Sequence, residues 1–397
     1  MPARAPDPDT LTRLADVLAG MDDAQRARFI GGCSAEDLPH VRDALGMSGG
    51  AWRSDPLSMA EHFGQLDRMP HTDLLARKFV DAVEGRSPRQ IWNVPPQHGK
   101  STIASQWGPV WALARDPSMP MILTSYGDQL AERNSITVRN LLVEHEDDLG
   151  VHLQRDQRRM NRWVTQAGGG IVAAGVGSAL TGFGAQGIVI DDPLKNWKEA
   201  HSEAQRLAVW NWYRSVARSR LWDRPGAPGW LIVVMTRWHE SDLVGQLLDA
   251  MYAGEGEEWE VIRLPAIAEA ADPKNANPIL REPDPLGRAP GEPLAPLLFD
   301  LDALNARARS FGSYLAAGLE QQRPAPEEGS DIMRGWWRWY DSVPPRFDDA
   351  LTSWDMKLKD KEAGDFVVGQ AWGRTGSDFW CVDSLRGQWN QATTKNA

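Results

Sequence analysis

The stretch Ile91-Trp92-Asn93-Val94-Pro95-Pro96-Gln97-His98-Gly99-Lys100-Ser101-Thr102 decides the fold of this chain. A short apolar run enters a polar loop that ends in Gly-Lys-Ser, and a helix-compatible segment, 102–114, follows until Asp116-Pro117 stops it. A strand, a loop and a helix in this order are typical of a phosphate-binding loop, whose backbone N–H groups surround phosphate oxygens. Val94 occupies the place of the first glycine of the standard pattern, so the motif is a variant. Taken alone, the motif does not exclude the alternative that this Gly-Lys-Ser sequence has no role in nucleotide binding.

Composition places the chain among ordinary soluble globular proteins. It has 397 residues, 42% hydrophobic and 24% charged, with room for two or three domains. Cys33 and Cys381 lie too far apart to indicate a disulfide framework or a cysteine zinc site, which fits a reducing cytoplasm. The polar stretch 1–10 is no signal peptide, and the longest apolar run, 230–235, is too short to span a bilayer. The net charge of −11 does not indicate a nucleic-acid binder, yet it excludes neither local basic patches nor a metal-dependent acidic site.

Short apolar strands alternate with helical segments after the loop, which predicts an α/β fold with a mostly parallel sheet. The predicted strands are 121–126, 188–190, 230–235 and 258–265, and the predicted helices are 129–142 and 200–220. Before the loop, apolar residues at helical spacing between 11 and 46 predict a small helical region.

Two carboxylates, Asp191 and Asp192, follow the predicted strand 188–190. In a phosphate-loop enzyme Lys100 would reach the β- and γ-phosphates, and the Ser101 hydroxyl would hold Mg²⁺. The first carboxylate holds Mg²⁺ through water, and the second residue polarises the attacking water. An Asp-Asp-Pro sequence alone is more often a turn, but its distance of roughly ninety residues from Lys100 favours the metal site. Asp192 is one methylene shorter than the glutamate that is usual there.

A polar cluster, 236–240, closes the predicted strand 230–235, where open α/β sheets place their sites. We expect Thr236 to sense the γ-phosphate, and Arg237 and His239 to couple hydrolysis to movement. A packing histidine or a helix cap remains the alternative for His239.

Two further patches have alternative interpretations. The arginines of 155–162 predict either a solvated surface loop or a DNA-contacting one. The aromatic run 336–340 favours a hydrophobic lid between domains over a surface on which bases stack.

Composition changes sharply from Asp272 to Pro296, which is rich in proline and marks a boundary. A helix, 301–319, follows, and 350–388 then predicts an antiparallel meander with Asp355 at the end of its first strand. The predicted divisions of the chain are a helical region 1–50, a phosphate-loop domain 51–270, a Pro-rich linker and inter-domain segment 271–345, and a short last domain 346–397.

Taken together, these motifs resemble the large terminase subunit of tailed bacteriophages, the motor and nuclease that packages DNA. The matching motifs are 95–101 for Walker A, 181–184 and 190–193 for the approach to Walker B, 236–243 for coupling, 321–324 and 336–337 for the inter-domain segment, and 353–355 for the first strand of an RNase H-like nuclease. The resemblance covers roughly residues 55–390. It implies a P-loop NTPase core, preceded by the small helical region and followed by the first RNase H-like strands.

The resemblance implies roles for particular residues. The residues that bind ATP would be Pro95, Pro96, Gln97, His98, Gly99, Lys100, Ser101 and Thr102. The catalytic residues would be Lys100, Asp192, Thr236, Arg237 and Asp355. The metal ligands would be Ser101 and Asp191 for the Mg²⁺ of ATP and Asp355 for a nuclease Mg²⁺ or Mn²⁺. Arg133 and Arg139 are candidates for an arginine finger donated to a neighbouring subunit.

The resemblance also implies partners: double-stranded DNA, a small terminase subunit, a capsid portal protein and further copies of the chain in a ring, with no membrane. Such a protein works in the host bacterial cytoplasm, transiently at the procapsid portal, and is absent from the mature virion. Two other functions stay open. A helicase-like or repair ATPase would not explain the meander that contains Asp355. A non-catalytic prophage remnant would bind DNA or portal without turning over ATP.

The stretch after Ala350 is far shorter than an RNase H-like domain of this family. The alternatives are a truncated polypeptide, a broken or split gene, or a motor without nuclease activity. Two-metal cleavage needs several carboxylates around ions about 4 Å apart. In this stretch, Asp383 is the candidate for a further metal ligand beside Asp355. We therefore expect this polypeptide alone not to cut DNA.

Overall fold

A computed structural model describes residues 51–64, 66–178, 180, 182–224, 227–275, 277–324, 338, 340–355 and 367–387. The predicted helical region 1–50, Thr181 and the Trp336-Trp337 pair lie outside these residues. The chain divides into two compact units, Met1–Ser330 and Asp331–Ala397. The Pro-rich stretch and the helix that follows it therefore both belong to the first unit.

An eight-stranded sheet organises the described part of the first unit. Its strands are β1 (Arg89–Asn93), β2 (Pro120–Ser125), β3 (Leu153–Arg158), β4 (Arg162–Thr165), β5 (Gly170–Gly175), β6 (Gly187–Asp191), β9 (Trp230–Met235) and β10 (Glu260–Arg263), and the small hairpin β7 (Asp223–Arg224) and β8 (Ala227–Pro228) stands apart from it. The strand order is β10-β1-β9-β6-β2-β5-β4-β3. The six strands from β10 to β5 are parallel, and β4 and β3 add an antiparallel hairpin. The predicted α/β fold with a mostly parallel sheet is confirmed.

The apolar run of β9 is buried on both faces of the sheet. Trp230, Ile232 and Val234 pack into one apolar cluster, and the residues between them pack into a second cluster on the opposite face. Parallel strands covered by helices on both sides have such unbroken apolar sequences. This explains why strand 230–235 was readily predicted.

Helices cover the sheet. In chain order they are α1 (Pro56–Gly64), α2 (Pro70–Val83), α3 (Gly108–Arg115), α4 (Asp128–Glu144), α5 (Glu146–Leu149), α6 (Trp197–Ala200), α7 (Glu203–Trp212), α8 (Arg218–Arg220), α9 (Leu243–Tyr252) and α10 (Leu301–Leu319). The last turn of α10 is followed by Glu320, Gln321 and Gln322, which return to the sheet. None of the helices among the described residues is both long and apolar enough to cross a membrane.

The helix predicted at 102–114 is present, but its first part, Thr102–Trp107, is wound as a π-helix. Pro109 has no N–H to bond the carbonyl four residues earlier, and the Gly108 N–H instead reaches the Ile103 carbonyl, five residues back. The wider turn leads without a break into α3.

Two predictions about local structure were wrong, and one strand was not predicted. The arginine-rich stretch 155–162 is not a loop, because β3 and β4 form a hairpin there. The glycine-dense segment before β6 contains an additional strand, β5, that was not predicted. The helix predicted at 200–220 is interrupted, since Ser202 caps α7 by accepting a hydrogen bond from the Gln205 N–H.

The second unit contains the predicted antiparallel meander. Its strands are β11 (Asp349–Asp355), β12 (Val367–Thr375) and β13 (Asp378–Gly387), in that spatial order. Asp355 pairs with Val368, which confirms its position at the end of the first strand.

Candidate functional site

The predicted site residues meet at one edge of the sheet. The phosphate loop follows β1, Thr236 follows β9 and the Asp191-Asp192 pair closes β6, and these three strands are neighbours in the order β1-β9-β6. Carboxyl ends of adjacent parallel strands form the crevice where such sheets bind ligands.

Lys100 lies at the centre of this crevice, and its side chain is only 8% exposed. Its Nζ lies 2.9 Å from Asp192 Oδ2 and donates a hydrogen bond of 3.0 Å to Thr236 Oγ1. Thr236 Oγ1 in turn donates to the Val94 carbonyl at 3.1 Å. The ammonium group is thus held between the second acid and the residue that follows β9.

Ser101 and Ser105 both contact the first acid. Ser101 Oγ donates to Asp191 Oδ1 at 3.0 Å, and Ser105 Oγ donates to Asp191 Oδ2 at 2.7 Å. The two serines are four residues apart: Ser101 directly precedes the π-helix Thr102–Trp107, and Ser105 lies within it. Ser105 was missed in the sequence. Its spacing of four residues from Ser101 is typical of one helix face, but no local pattern links Ser105 to Asp191.

Burial and charge raise the pKa of Asp191. Desolvation is the main cause, the neighbouring Asp192 carboxylate adds to it, and Lys100 and the serine hydroxyls oppose it. The resulting pKa is about 6, against 3.8 for an ordinary aspartate. A cation placed against this carboxylate would favour its charged form.

The donor set suits Mg²⁺. Mg²⁺ takes oxygen ligands, keeps several waters and is usually bound by one or two carboxylates plus the phosphates of the substrate. The Ser101 hydroxyl and Asp191 carboxylate lie side by side at 3.0 Å and supply two such oxygens from the chain. Among the described residues no group of three or more His, Cys, Asp or Glu side chains is arranged to hold a metal ion.

Asp192 has a left-handed backbone with φ of +47°. Its N–H donates to the Val234 carbonyl at 2.8 Å, and its carbonyl accepts from the Tyr126 N–H at 3.1 Å. Its side chain Oδ1 accepts from the Thr236 N–H at 3.0 Å. Aspartate tolerates this backbone conformation better than longer residues do, so the local backbone suits Asp where glutamate is usual.

Two buried histidines, His71 and His98, form hydrogen bonds with backbone carbonyls of the phosphate loop. His98 Nδ1 donates to the Pro96 carbonyl at 2.8 Å, and His71 Nε2 donates to the His98 carbonyl at 3.0 Å. Burial is the main cause that lowers the pKa of both rings to about 4, so both are neutral at pH 7. Gln97 and Gly99 have φ of +65° and +76°, which shapes the loop between Pro96 and Lys100.

The Arg237 side chain lies away from Lys100, against the start of α9. Its Nε contacts both carboxylate oxygens of the fully buried Asp242 at 3.0 and 2.9 Å. Asp242 also caps α9 through the Gly245 N–H. His239 Nδ1 accepts from the Ser241 N–H at 3.0 Å, within the turn before α9, so His239 does not cap the helix. The Arg237 guanidinium therefore stabilises the turn before α9. Of the neighbours Thr236 and Arg237, only Thr236 contacts Lys100 through its side chain.

The other predicted residues lie elsewhere. Arg133 and Arg139 are on α4, with Arg133 exposed. Asp355 is exposed at the end of β11, and its register places it in line with Val368 and Arg386. Asp383 pairs with Ala371, three residues from Val368, so it lies on the opposite face of the meander. The structure does not bring Asp383 to Asp355.

Comparisons with known proteins identify relatives. A family model for the terminase large subunit, T4likevirus type, N-terminal part, matches residues 91–321, which is more than half of the 397 residues. The large terminase of bacteriophage HK97 is 14% identical over 81% of this chain and 63% of that chain, with a TM-score of 0.41. The large terminase of a thermophilic bacteriophage, in complex with ADP, is 11% identical over 81% of this chain and 69% of that chain, with a TM-score of 0.36. This chain thus spans less than two thirds of the HK97 protein. No curated protein matches it.

Proposed function

This chain belongs to the family of terminase large subunits, T4likevirus type, and we propose that it hydrolyses ATP to drive double-stranded viral DNA into a procapsid. One observation carries the ATPase part. Consecutive residues of the loop each face one acid of a consecutive pair: Lys100 faces Asp192 at 2.9 Å, and Ser101 faces Asp191 at 3.0 Å.

Each of these residues has a distinct task. The loop 95–102 and the start of the helix after it present N–H groups to the phosphates of ATP. Lys100 supplies the positive charge that binds the β- and γ-phosphates, and Thr236, which contacts Lys100, senses the γ-phosphate. Ser101 and Asp191 hold Mg²⁺, which neutralises the charge of the phosphates. Asp192 orients the attacking water and accepts its proton.

The release of Asp192 depends on Lys100. In the structure the Asp192 carboxylate is shared between the Lys100 ammonium and the Thr236 N–H. When Lys100 turns to phosphate oxygens, Asp192 loses this ion pair, and its carboxylate is free to accept the proton of the attacking water. Binding of the substrate therefore prepares the base.

The family supplies the rest of the proposal. The motor acts on double-stranded DNA with a small terminase subunit and a portal protein, as a ring of identical copies, with Arg133 or Arg139 as the finger donated to a neighbour. It works in the host cytoplasm and leaves the portal before the virion matures. Asp355 is the first metal ligand of an RNase H-like nuclease.

A packaging assay tests this function. Purified chain, small subunit, procapsids of the parent phage, linear double-stranded DNA, Mg²⁺ and ATP are mixed, and DNA protected from added DNase is measured. We expect protected DNA that disappears without ATP and in Lys100→Ala. Protection that persists in Lys100→Ala would contradict the proposal.

A further inference from the structure

Two adjacent glutamines, Gln321 and Gln322, form hydrogen bonds from the segment after α10 to the segments that follow β10 and β9. Gln321 Oε1 accepts from the Ile267 N–H at 3.1 Å, and its Nε2 donates to the Ile267 carbonyl at 2.8 Å, beyond the end of β10. Gln322 Oε1 accepts from the Arg237 N–H at 3.1 Å, beyond the end of β9. Gln322, and not Gln321, therefore contacts the segment 236–237, in which Thr236 contacts Lys100.

Gln322 is buried and has an unfavourable backbone. It is 2% exposed, and its φ is +53°, in the left-handed region that a glutamine rarely adopts. Such strain persists only where surrounding contacts enforce it, and it concentrates at functional positions. Its Nε2 also bonds the Leu319 carbonyl, which fixes the amide in the orientation that presents Oε1 to Arg237.

The Arg237 backbone is enclosed from two sides. Gln322 takes its N–H, and Gly318, in the last turn of α10, lies so close that a Cβ there would sit 2.9 Å from the Arg237 carbonyl oxygen. The residue before it, Thr236, is held by Asp192 through its N–H and by Lys100 through its hydroxyl. Any shift of 236–237 would therefore change the geometry of the hydrogen bond between the Arg237 N–H and Gln322.

We propose that Gln322 is a positioning residue, which carries the nucleotide state of the Lys100–Thr236 contact to residues 318–324 through the Arg237 N–H. In the sequence, these residues precede the second unit, which begins at Asp331. The inference rests on the proposed ATPase, because it needs a nucleotide that changes the partners of Lys100. The coupling uses a contiguous chain of hydrogen bonds, and one substitution interrupts it.

Amide hydrogen exchange tests the inference with the whole chain and the slowly hydrolysed analogue ATP-gamma-S. Peptides that cover 236–242 and 318–324 are followed with and without the analogue and Mg²⁺. In the wild type we expect the analogue to change the exchange of both peptides. In Gln322→Met the change at 236–242 should remain and the change at 318–324 should vanish.

Gln321→Met is the matched control, since it removes the neighbouring amide from the same segment without touching Arg237. It should keep the nucleotide-dependent change at 318–324, whatever it does to the melting temperature. Gln322→Asn serves as a second variant because asparagine tolerates a positive φ but is one methylene shorter. It should behave as Gln322→Met does.

The outcomes separate the inference from the function. If ATP-gamma-S binds and the change at 318–324 persists in both Gln322 variants, the inference is wrong and the ATPase stands. If the wild type binds the analogue and the hydrogen exchange of 318–324 does not change, the inference is likewise wrong and the ATPase stands. A wild type that does not bind it at all overturns the proposed function, and the inference with it.

Discussion

The Lys100 ammonium and the Asp192 carboxylate form an ion pair at 2.9 Å, in a position where Lys100 is almost completely buried. The pair joins the loop after β1 to the residue after β6, across the intervening strand β9. It gives Asp192 a counter-ion, and Lys100 must leave it to reach phosphate oxygens. The predictions below follow from this arrangement and from the contacts around it.

Asp192→Asn should slow ATP hydrolysis by about 100-fold or more, because an amide cannot accept the proton of the attacking water. The KM for ATP should change much less, since the loop and Lys100 remain. Steady-state kinetics gives both values. Asp147→Asn, an exposed aspartate of α5, is the control and should match the wild type. An Asp192→Asn enzyme with the wild-type kcat would show that Asp192 is not the base.

Ser105→Ala should raise the Mg²⁺ concentration needed for half-maximal hydrolysis by roughly 10-fold, because it removes the 2.7 Å hydrogen bond that orients Asp191. Saturating Mg²⁺ should restore most of the rate. Ser101→Ala removes a direct ligand and should not be restored in this way. Titration of activity with Mg²⁺ distinguishes the two, and identical curves for wild type and Ser105→Ala would refute the role of Ser105.

Asp191→Asn should stabilise the chain above pH 6 when no Mg²⁺ is present. The folded pKa of Asp191, about 6, lies above its unfolded value of 3.8. Its contribution to stability is therefore complete below pH 3.8 and is lost as the pH rises through 6. The neutral amide avoids this loss, so the gain should be roughly 1–3 kcal/mol at pH 8 and about half as large at pH 5. Unfolding in EDTA at both pH values measures it, and equal gains at the two would contradict the assignment.

Gly108→Ala should destabilise the fold, although alanine normally favours a helix over glycine by about 1 kcal/mol. An added Cβ would lie 2.4 Å from Phe79 Cε2 and 2.7 Å from the Ile103 carbonyl oxygen. We expect a loss of roughly 1–3 kcal/mol in the free energy of unfolding. Gly127→Ala, with nothing within 4 Å, is the control and should be near neutral. Equal melting temperatures for both variants would refute the close packing of the start of α3 on α2.

The sequence predicted the features that depend on local pattern. The apolar run of β9, the Gly-Lys-Ser loop and the acids after β6 can each be recognised within a few residues, and the motifs together identified the terminase family, which the family model confirms. Strand β5 was missed because glycines hide its pattern, and its parallel partner, β2, is provided by a distant segment of the chain.

Contacts made only by the folded chain could not be predicted. The contact of Ser105 with Asp191 depends on a π-helix that Pro109 induces, and the burial of the Arg237 guanidinium depends on the cap of α9. The bond from Arg237 to Gln322 joins residues 85 positions apart. No local pattern indicates a pairing over such a distance.

Steady-state ATP hydrolysis in the presence of Mg²⁺, with and without linear double-stranded DNA, tests the central claim most directly. The variants are Lys100→Ala and Lys195→Ala, an exposed lysine near the same crevice. We predict that the wild type and Lys195→Ala hydrolyse ATP, that DNA raises their rate, and that Lys100→Ala loses hydrolysis in both conditions. Hydrolysis by Lys100→Ala at the wild-type rate, or no hydrolysis by the wild type in either condition, would contradict the account.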